Sequence, residues 1–241
     1  MEKYARQIII PEIGKAGQER IRCSRVLVVG AGGLGSPAAQ YLAAAGIGTL
    51  GIADFDVIDI TNLQRQILYK ESSVGQSKVH SAAEAIRGLN PDVDVIPLEC
   101  RITEQNAEEV ISRFDIVLGC LDTIHSRYVL NSACANLGKP NIFGAVSGFE
   151  GQASVFSLND GPCYHCFFAE PPTTGPSYAE MSILGSVAGI IGSIQANETI
   201  KIITGAGMSL SGRLLLFDGL AMRFREIAVK KDPDCPVCGR H

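Results

Sequence analysis

The run Val26-Leu-Val-Val29 is apolar without a break, and Gly30-Ala-Gly-Gly-Leu-Gly35 follows it directly. A strand with no polar face must be covered on both sides, as happens inside a parallel sheet sandwiched between helices. The three spaced glycines of the turn then allow a tight reversal, close approach of backbone to a phosphate, and close packing of the next helix on the strand. Pro37 falls in the first turn of that helix, read over residues 37–45, where its missing N–H is no loss. This one feature commits the chain to a layered α/β architecture with an anion-binding helix N-terminus at the end of its first strand.

The pattern continues as that commitment requires. Residues 49–53 read as a second strand ending in Asp54. Val79, Ala82, Ala83 and Ile86 give helical spacing over 75–89, 93–98 alternate as a strand, and 104–113 are helical again. Ile116-Val-Leu-Gly119 is another buried strand, 125–137 a helix and 141–145 a further strand. Strands alternating with helices in this way indicate a Rossmann-like, doubly wound, mostly parallel sheet. Beyond residue 145, the stretches 152–158, 213–218 and 223–229 read as strands without crossover helices between all of them, which predicts antiparallel C-terminal additions at one edge. A Pro- and Thr-rich segment, 170–178, and a long helix from about 183 to 203 lie among them. The whole chain, 1–241, is read as one domain: an N-terminal arm (1–24), a nucleotide-binding core (25–145) and a C-terminal half (146–241).

Composition narrows the partners. Lys and Arg total 21 against 25 Asp and Glu, a net charge of −4, so nothing draws the chain globally to nucleic acid or to a membrane surface, and any anionic ligand must be held locally. The start, MEKYARQIII, has no signal-peptide pattern, so a cytoplasmic location is expected. Residues 26–53 are broken by glycines, and 181–197 are too short and carry Ser182, Ser186, Ser193, Gln195 and Asn197, so neither is read as a membrane span.

Asp54 stands 24 residues after Gly30, placed to accept from a ribose hydroxyl. Glycine turn and carboxylate together do not choose between NAD and ATP. The next stretch, Asp54-Phe-Asp-Val-Ile-Asp-Ile-Thr-Asn-Leu-Gln-Arg-Gln66 followed by Gly75-Gln-Ser-Lys78, adds Asn62, Arg65 and Lys78, groups expected around a triphosphate attacked at its α-phosphorus. No GxxxxGK[ST] sequence occurs. In Gly119-Cys-Leu-Asp-Thr-Ile124, Asp122 lies at the carboxyl edge of the sheet, where it can hold Mg²⁺ beside phosphate oxygens; Asp122 or Thr123 can equally cap the following helix.

Cysteine spacing gives the sharpest signal. Cys163-Tyr-His-Cys166 and Cys235-Pro-Val-Cys238 are two CxxC knuckles, the arrangement of a closed four-thiolate zinc site, which would tie the C-terminus back to the body. Redox pairs are the rival reading, though neither pair opens a helix after a strand. His165 is surplus to four thiolates. Cys23, Cys100, Cys120 and Cys134 are read as buried structural thiols.

The ordered set GxGGLG, DFDxxxxxNLxRQ, VGxxK, the Asp122 loop, GxxGSxQAxE at 189–198 and the paired knuckles, preceded by Tyr4-Ala-Arg-Gln7, resembles the ThiF, MoeB and HesA family, bacterial relatives of ubiquitin-activating enzymes, from about Tyr4 to Cys238. The resemblance implies an adenylyltransferase that uses ATP to adenylate the C-terminal glycine of a ubiquitin-fold sulfur carrier of the MoaD or ThiS type ending in Gly-Gly. Pyrophosphate is released, and the product serves molybdopterin or thiamin biosynthesis. It further implies that Gly30, Gly32, Gly33, Asp56, Thr61, Leu63, Gln64 and Thr123 line the nucleotide and that Asp54 takes the ribose. Asn62, Arg65 and Lys78 would engage phosphates, Asp122 Mg²⁺, and the four knuckle cysteines zinc. Arg6 would reach the ATP of the opposite subunit of a homodimer, and residues 146–241 would bind the carrier. Several relatives carry a cysteine before the long helix that bonds covalently to the carrier; residues 167–182 have none, with Ser177 and Tyr178 near its place. The chain also ends three residues after Cys238, without a sulfurtransferase domain. Both points imply an enzyme that stops at the acyl adenylate and leaves it to a separate sulfurtransferase. The readings set against this are an NAD-dependent oxidoreductase, on the glycine turn and Asp54, and a non-catalytic zinc-stabilised scaffold that binds a carrier; the cation set and Asp122 have no use in the second.

Overall fold

The structure, a computed structural model, describes residues 2–169 and 182–239. Its strands are β1 (Arg25–Val29), β2 (Thr49–Asp54), β3 (Asp94–Glu99), β4 (Ile116–Gly119), β5 (Asn141–Ser147), β6 (Glu150–Phe156), β7 (Arg213–Asp218) and β8 (Arg223–Ala228). Its helices are α1 (Ala5–Ile8), α2 (Gly14–Cys23), α3 (Gly35–Ala45), α4 (Lys78–Leu89), α5 (Ala107–Ser112), α6 (Ile124–Asn136), α7 (Tyr164–Phe167) and α8 (Gly185–Thr204). One eight-stranded sheet runs in the order β3-β2-β1-β4-β5-β6-β7-β8. The first five are parallel and the last three antiparallel, as the change of pattern after residue 145 predicts.

The unbroken apolar run of β1 has a direct cause. Val26 and Val28 face a core completed by Leu42, Leu50, Ile86 and Ile191, whereas Leu27 and Val29 face a separate core with Ile111, Phe114 and Leu130. A strand buried on both faces cannot alternate with polar residues. β1 pairs with β2 on one side and β4 on the other, so the strand order reverses there. Val29 lies opposite both Ala53 and Gly119, which brings the three strand ends level and opens a crevice beyond them, the usual place for a ligand in an open α/β sheet.

Gln195 of α8, fully buried, keeps that edge in shape. Its Nε2 donates to Gly119 O at 3.1 Å and to Ile142 O at 2.9 Å, tying β4 to β5 close to where their pairing ends. A Cβ at Gly144 would come within 2.6 Å of the same amide. Among the described residues no helix is long and apolar enough to cross a membrane.

Several boundaries differ from the sequence reading. α2 was not foreseen in the lead-in, because GKAGQERIRC holds two glycines and only a thin apolar stripe; Ile21 inserts into the core, and Arg20 donates to Ile203 O and Thr204 O. α4 begins at Lys78 because Gly75, at φ +86°, and the bridge of Ser77 to Val57 use the preceding residues for a turn. α5 starts at Ala107, since the Asn106 side chain accepts from Thr103 N at 2.8 Å and holds the approach in a turn. β5 and β6 extend toward each other to a tight hairpin at Gly148, at φ +55°. Of the four cysteines read as buried, Cys120 and Cys134 are, and burial pushes both thiols up to about 12. Cys23 is exposed and Cys100 half-buried: Cys23 is the last residue of α2, outside its buried stripe, and Cys100 sits just past the end of β3.

Candidate functional site

A cavity of about 830 Å³ lies beyond the level ends of β1, β2 and β4. Its floor is the glycine turn. Gly30 adopts φ +96°, and a Cβ there would overlap the Cys120 carbonyl, so the turn can pass only as glycine. Ala31 is fixed from both sides: its N–H donates to Asp54 Oδ2 at 2.8 Å, and its carbonyl accepts from Tyr69 Oη at 2.8 Å. Burial, reinforced by the Asp54 and Asp56 carboxylates, pushes the Tyr69 phenol up, so it stays protonated and donating. Asp54 Oδ1 accepts from Asp56 N at 2.9 Å, so each carboxylate oxygen of this cavity-lining residue keeps capacity for a further hydrogen bond.

Gly32 differs from its neighbours. A Cβ there would meet only Gln66 Nε2, at 3.8 Å, and otherwise projects into open space. Gly32→Ala is therefore expected to leave the melting temperature within about 2 °C but to weaken nucleotide binding about tenfold, measured by calorimetry. Unchanged nucleotide affinity would show that no phosphate approaches this turn.

The cations converge on the same space. Lys78, with its side chain 7% exposed, places Nζ 3.0 Å from Asp56 Oδ2, and its own N–H donates to Asp56 O at 3.0 Å. Arg65 lines the cavity with Nη1 donating to Thr61 O at 3.0 Å. That carbonyl is set by a short turn over Ile60–Asn62, which Asp59 caps by accepting from Thr61 N at 2.8 Å and Thr61 Oγ1 at 2.6 Å. These bonds hold the Asp59 carboxyl below its usual range. Asn62 and Gln64 line the cavity; Thr61 and Leu63 do not, the Thr61 hydroxyl being bonded to Asp59 and Leu63 packing against the main core.

At the β4 end, Thr123 is the helix cap, its Oγ1 accepting from Ser126 N at 3.1 Å. That resolves the capping alternative and leaves the exposed Asp122 carboxylate on the cavity wall with no ion pair to any described residue. Arg6 is elsewhere. It is exposed on α1, whose neighbour Gln7 donates to Ala45 O at 3.1 Å, while Tyr4 Oη accepts from Asn90 Nδ2 at 2.8 Å. Ala45 and Asn90 end the helices that lead into β2 and β3, so the arm is fastened at the edge of the sheet opposite the cavity.

Sequence reasoning missed several wall residues. Gln66 is 4% exposed, lines the cavity and has an Oε1 without a hydrogen-bond partner among the described residues. It belongs to the NLxRQ run, and only its place beside Arg65 in that run marks it in the sequence. Arg101 stacks its guanidinium 3.9 Å over the Phe55 ring, and Arg127 closes the far wall. Arg101 follows a predicted strand end by three residues, whereas Arg127 lies within the predicted helix 125–137 and carries no such signal.

The knuckles meet as a second centre. The four sulfurs of Cys163, Cys166, Cys235 and Cys238 all lie within 4.8 Å of one another. Cys163–Cys235 is 3.7 Å, Cys166–Cys163 3.9 Å and Cys166–Cys238 3.4 Å. Sulfurs bound at about 2.3 Å to a tetrahedral metal stand about 3.8 Å apart, whereas a disulfide needs about 2.05 Å. The donor set therefore fits one metal ion. Asp232 N donates to Cys166 Sγ at 3.4 Å, and His165 Nδ1 lies 3.9 Å from Cys235 Sγ, beside the set rather than within it. An aromatic cluster of Phe143, Phe156, Tyr164 and Phe168 seats the first knuckle against β5 and β6. The segment without cysteine, 167–182, falls mostly outside the described residues.

Comparison with known proteins gives a consistent picture. The model of the ThiF family matches residues 4–237. A SAMP-activating enzyme E1 of Haloferax volcanii is 46% identical over 241 residues, covering 99% of this chain and 89% of the relative. A sulfur carrier protein adenylyltransferase of Thermus thermophilus is 43% identical over 246 residues, covering 99% and 91%. The adenylyltransferase and sulfurtransferase MOCS3 of Sus scrofa is 45% identical over 240 residues, and this chain spans 53% of its length. Among solved structures, Escherichia coli MccB with MccA-N7isoASN superposes with a TM-score of 0.85 at 20% identity, over 93% of this chain and 69% of that one, a likeness of fold.

Proposed function

Because the chain belongs to the ThiF family, we propose that it adenylates the C-terminal glycine of a small ubiquitin-like sulfur carrier of the MoaD or ThiS type, at the expense of ATP. The observation that carries this reading is the convergence, in one crevice, of a phosphate-binding glycine turn with Arg65, Lys78 and an uncommitted Asp122 carboxylate. An oxidoreductase gripping a pyrophosphate bridge has no use for that set.

The chemistry is a single displacement. One oxygen of the carrier's terminal carboxylate attacks the α-phosphorus, the bond to the bridging oxygen of the β-phosphate breaks, and pyrophosphate leaves with the electron pair. No proton moves and no side-chain nucleophile is required. Negative charge accumulates on the α-phosphoryl group and the leaving group, so catalysis rests on positioned cations. Arg65 and Lys78 supply two, Asn62 donates to phosphate oxygens, and Asp54 accepts from the ribose. Gly32 and Gly33 bring backbone N–H groups to the phosphates, while the Gly30 N–H is spent on Ala53 O at 2.8 Å and that glycine shapes the turn. Asp122 would hold Mg²⁺, which neutralises the leaving pyrophosphate when bound. Arg6, fastened at the opposite edge of its own sheet, is read as serving the second subunit of a homodimer.

Residues 1–24 then act as the N-terminal arm, 25–145 as the nucleotide-binding core and 146–241 as the carrier-binding half, clamped by zinc on Cys163, Cys166, Cys235 and Cys238. The acyl adenylate would pass in the cytoplasm to a separate sulfurtransferase, in molybdopterin or thiamin biosynthesis. Labelled pyrophosphate should exchange into ATP only when a Gly-Gly-terminated MoaD- or ThiS-type carrier is present. Absence of exchange with either carrier type, or tight NAD binding without ATP binding in calorimetry, would overturn the reading.

A further inference from the structure

A second, smaller cavity of about 250 Å³ opens beside the nucleotide crevice, and the two share Arg127 and Val146 as common wall. Tyr128, Ala145, Tyr164 and Phe168 make most of the rest of it apolar. At about 3.5 Å per extended residue, such a space takes roughly two residues of chain. Arg127 stands at the junction. Its Nε and Nη2 donate to Leu121 O at 3.2 and 3.0 Å, and its guanidinium sits 5.6 Å over the Phe143 ring. These contacts fix the fork in place while using two of its five N–H groups. Among the described residues it has no carboxylate partner. A half-buried, immobilised guanidinium with donors to spare, on the wall common to both cavities, is placed to receive an incoming carboxylate. Glu150, the acidic wall residue, is exposed at the start of β6, where water screens it.

Building on the adenylation reading, we infer that Arg127 binds the terminal carboxylate of the carrier and delivers it from the smaller cavity to the nucleotide. An anion approaching a triphosphate is repelled along its whole path, and a fixed cation at the junction offsets that repulsion where the two cavities meet. Arg127 is thus a substrate-binding residue distinct from the phosphate-facing Arg65 and Lys78.

The test uses whichever carrier type, MoaD or ThiS, supports pyrophosphate exchange, prepared with a free C-terminal carboxylate and, by semisynthesis, with a C-terminal amide. Affinities are measured by calorimetry without nucleotide. The wild-type protein should prefer the carboxylate form about tenfold, Arg127→Gln should bind both forms equally, and Arg127→Lys should keep part of the preference. General damage to the groove would weaken both forms together and leave their ratio intact, so a ratio that survives in Arg127→Gln overturns the inference, as does a wild-type protein indifferent to the amide. If neither carrier supports exchange, the adenylation reading falls first and this inference falls with it.

Discussion

Lys78→Ala should reduce carrier-dependent pyrophosphate exchange by about 10²–10³-fold while the protein remains folded. The magnitude follows from where the ammonium sits. Its side chain is 7% exposed on the crevice wall, and Nζ is held 3.0 Å from Asp56 Oδ2. A charge kept out of bulk water interacts more strongly with a phosphoryl group than an exposed one, and one already oriented need not be reorganised as the leaving group forms. Stability should change little by comparison, because Asp56 is 49% exposed and regains water once its partner is gone, which places the ion pair at about 1 kcal/mol or less. Lys78→Arg should recover part of the rate, since it restores charge without the compact geometry. Exchange kinetics and a thermal melt on the same preparations decide the matter: an alanine variant within about tenfold of wild type would remove Lys78 from the reaction.

The second large effect concerns stability rather than rate. Cys235→Ser should lower the melting temperature by about 10 °C or more, and purified wild-type protein should contain one zinc per chain. Cys163 and Cys235 are both fully buried, so losing one thiolate leaves the metal underligated where water cannot readily replace it. A loss of about 4 kcal/mol, modest for a structural zinc ligand, corresponds to about 10 °C in a chain of this size. The centre joins sequence positions about 70 residues apart, and its loss should free the C-terminal knuckle while the glycine turn keeps its geometry. Nucleotide affinity measured well below the melting transition should therefore fall much less than stability. Metal analysis finding no zinc, or a serine variant that melts with the wild type, would refute a structural metal.

What could be read from the sequence divides along physical lines. The two-sided burial of β1, the glycine turn and the strand–helix alternation are local, and each leaves a periodic or compositional mark within about ten residues. The knuckles were legible because metal chemistry restricts both residue type and spacing. Arg6 illustrates the limit: its motif was readable, but only the packing of Gln7 and Tyr4 places it at the far edge of the sheet. Thr61 and Leu63 sit in the same motif as Asn62 and Arg65, yet they face the Asp59 cap and the core, a distinction set by the direction of one short turn. Arg127 left no mark, because Val146 and Phe143 reach it only through the pairing of β4 with β5. Cys23 misled because a cysteine two residues ahead of a strand resembles one inside it, although the helix it ends leaves it exposed.

Helix α6 also acts as a ruler. Asp122 precedes its Thr123 cap, Arg127 lies in its first turns, and the Arg127 side chain reaches back to Leu121 O, closing a loop of covalent and hydrogen bonds around both groups. From the Thr123 cap onward the position of Arg127 is set by helical rise and phase, about 1.5 Å and 100° per residue, and the Leu121 bond ties that helix turn back to the residue before Asp122. A residue added or removed between Thr123 and Arg127 would swing the guanidinium away from the wall that the two cavities share, even though every side chain named in the site was still present. On the adenylation reading, the register of this helix, as much as the identity of its residues, would set how two anions are brought into line.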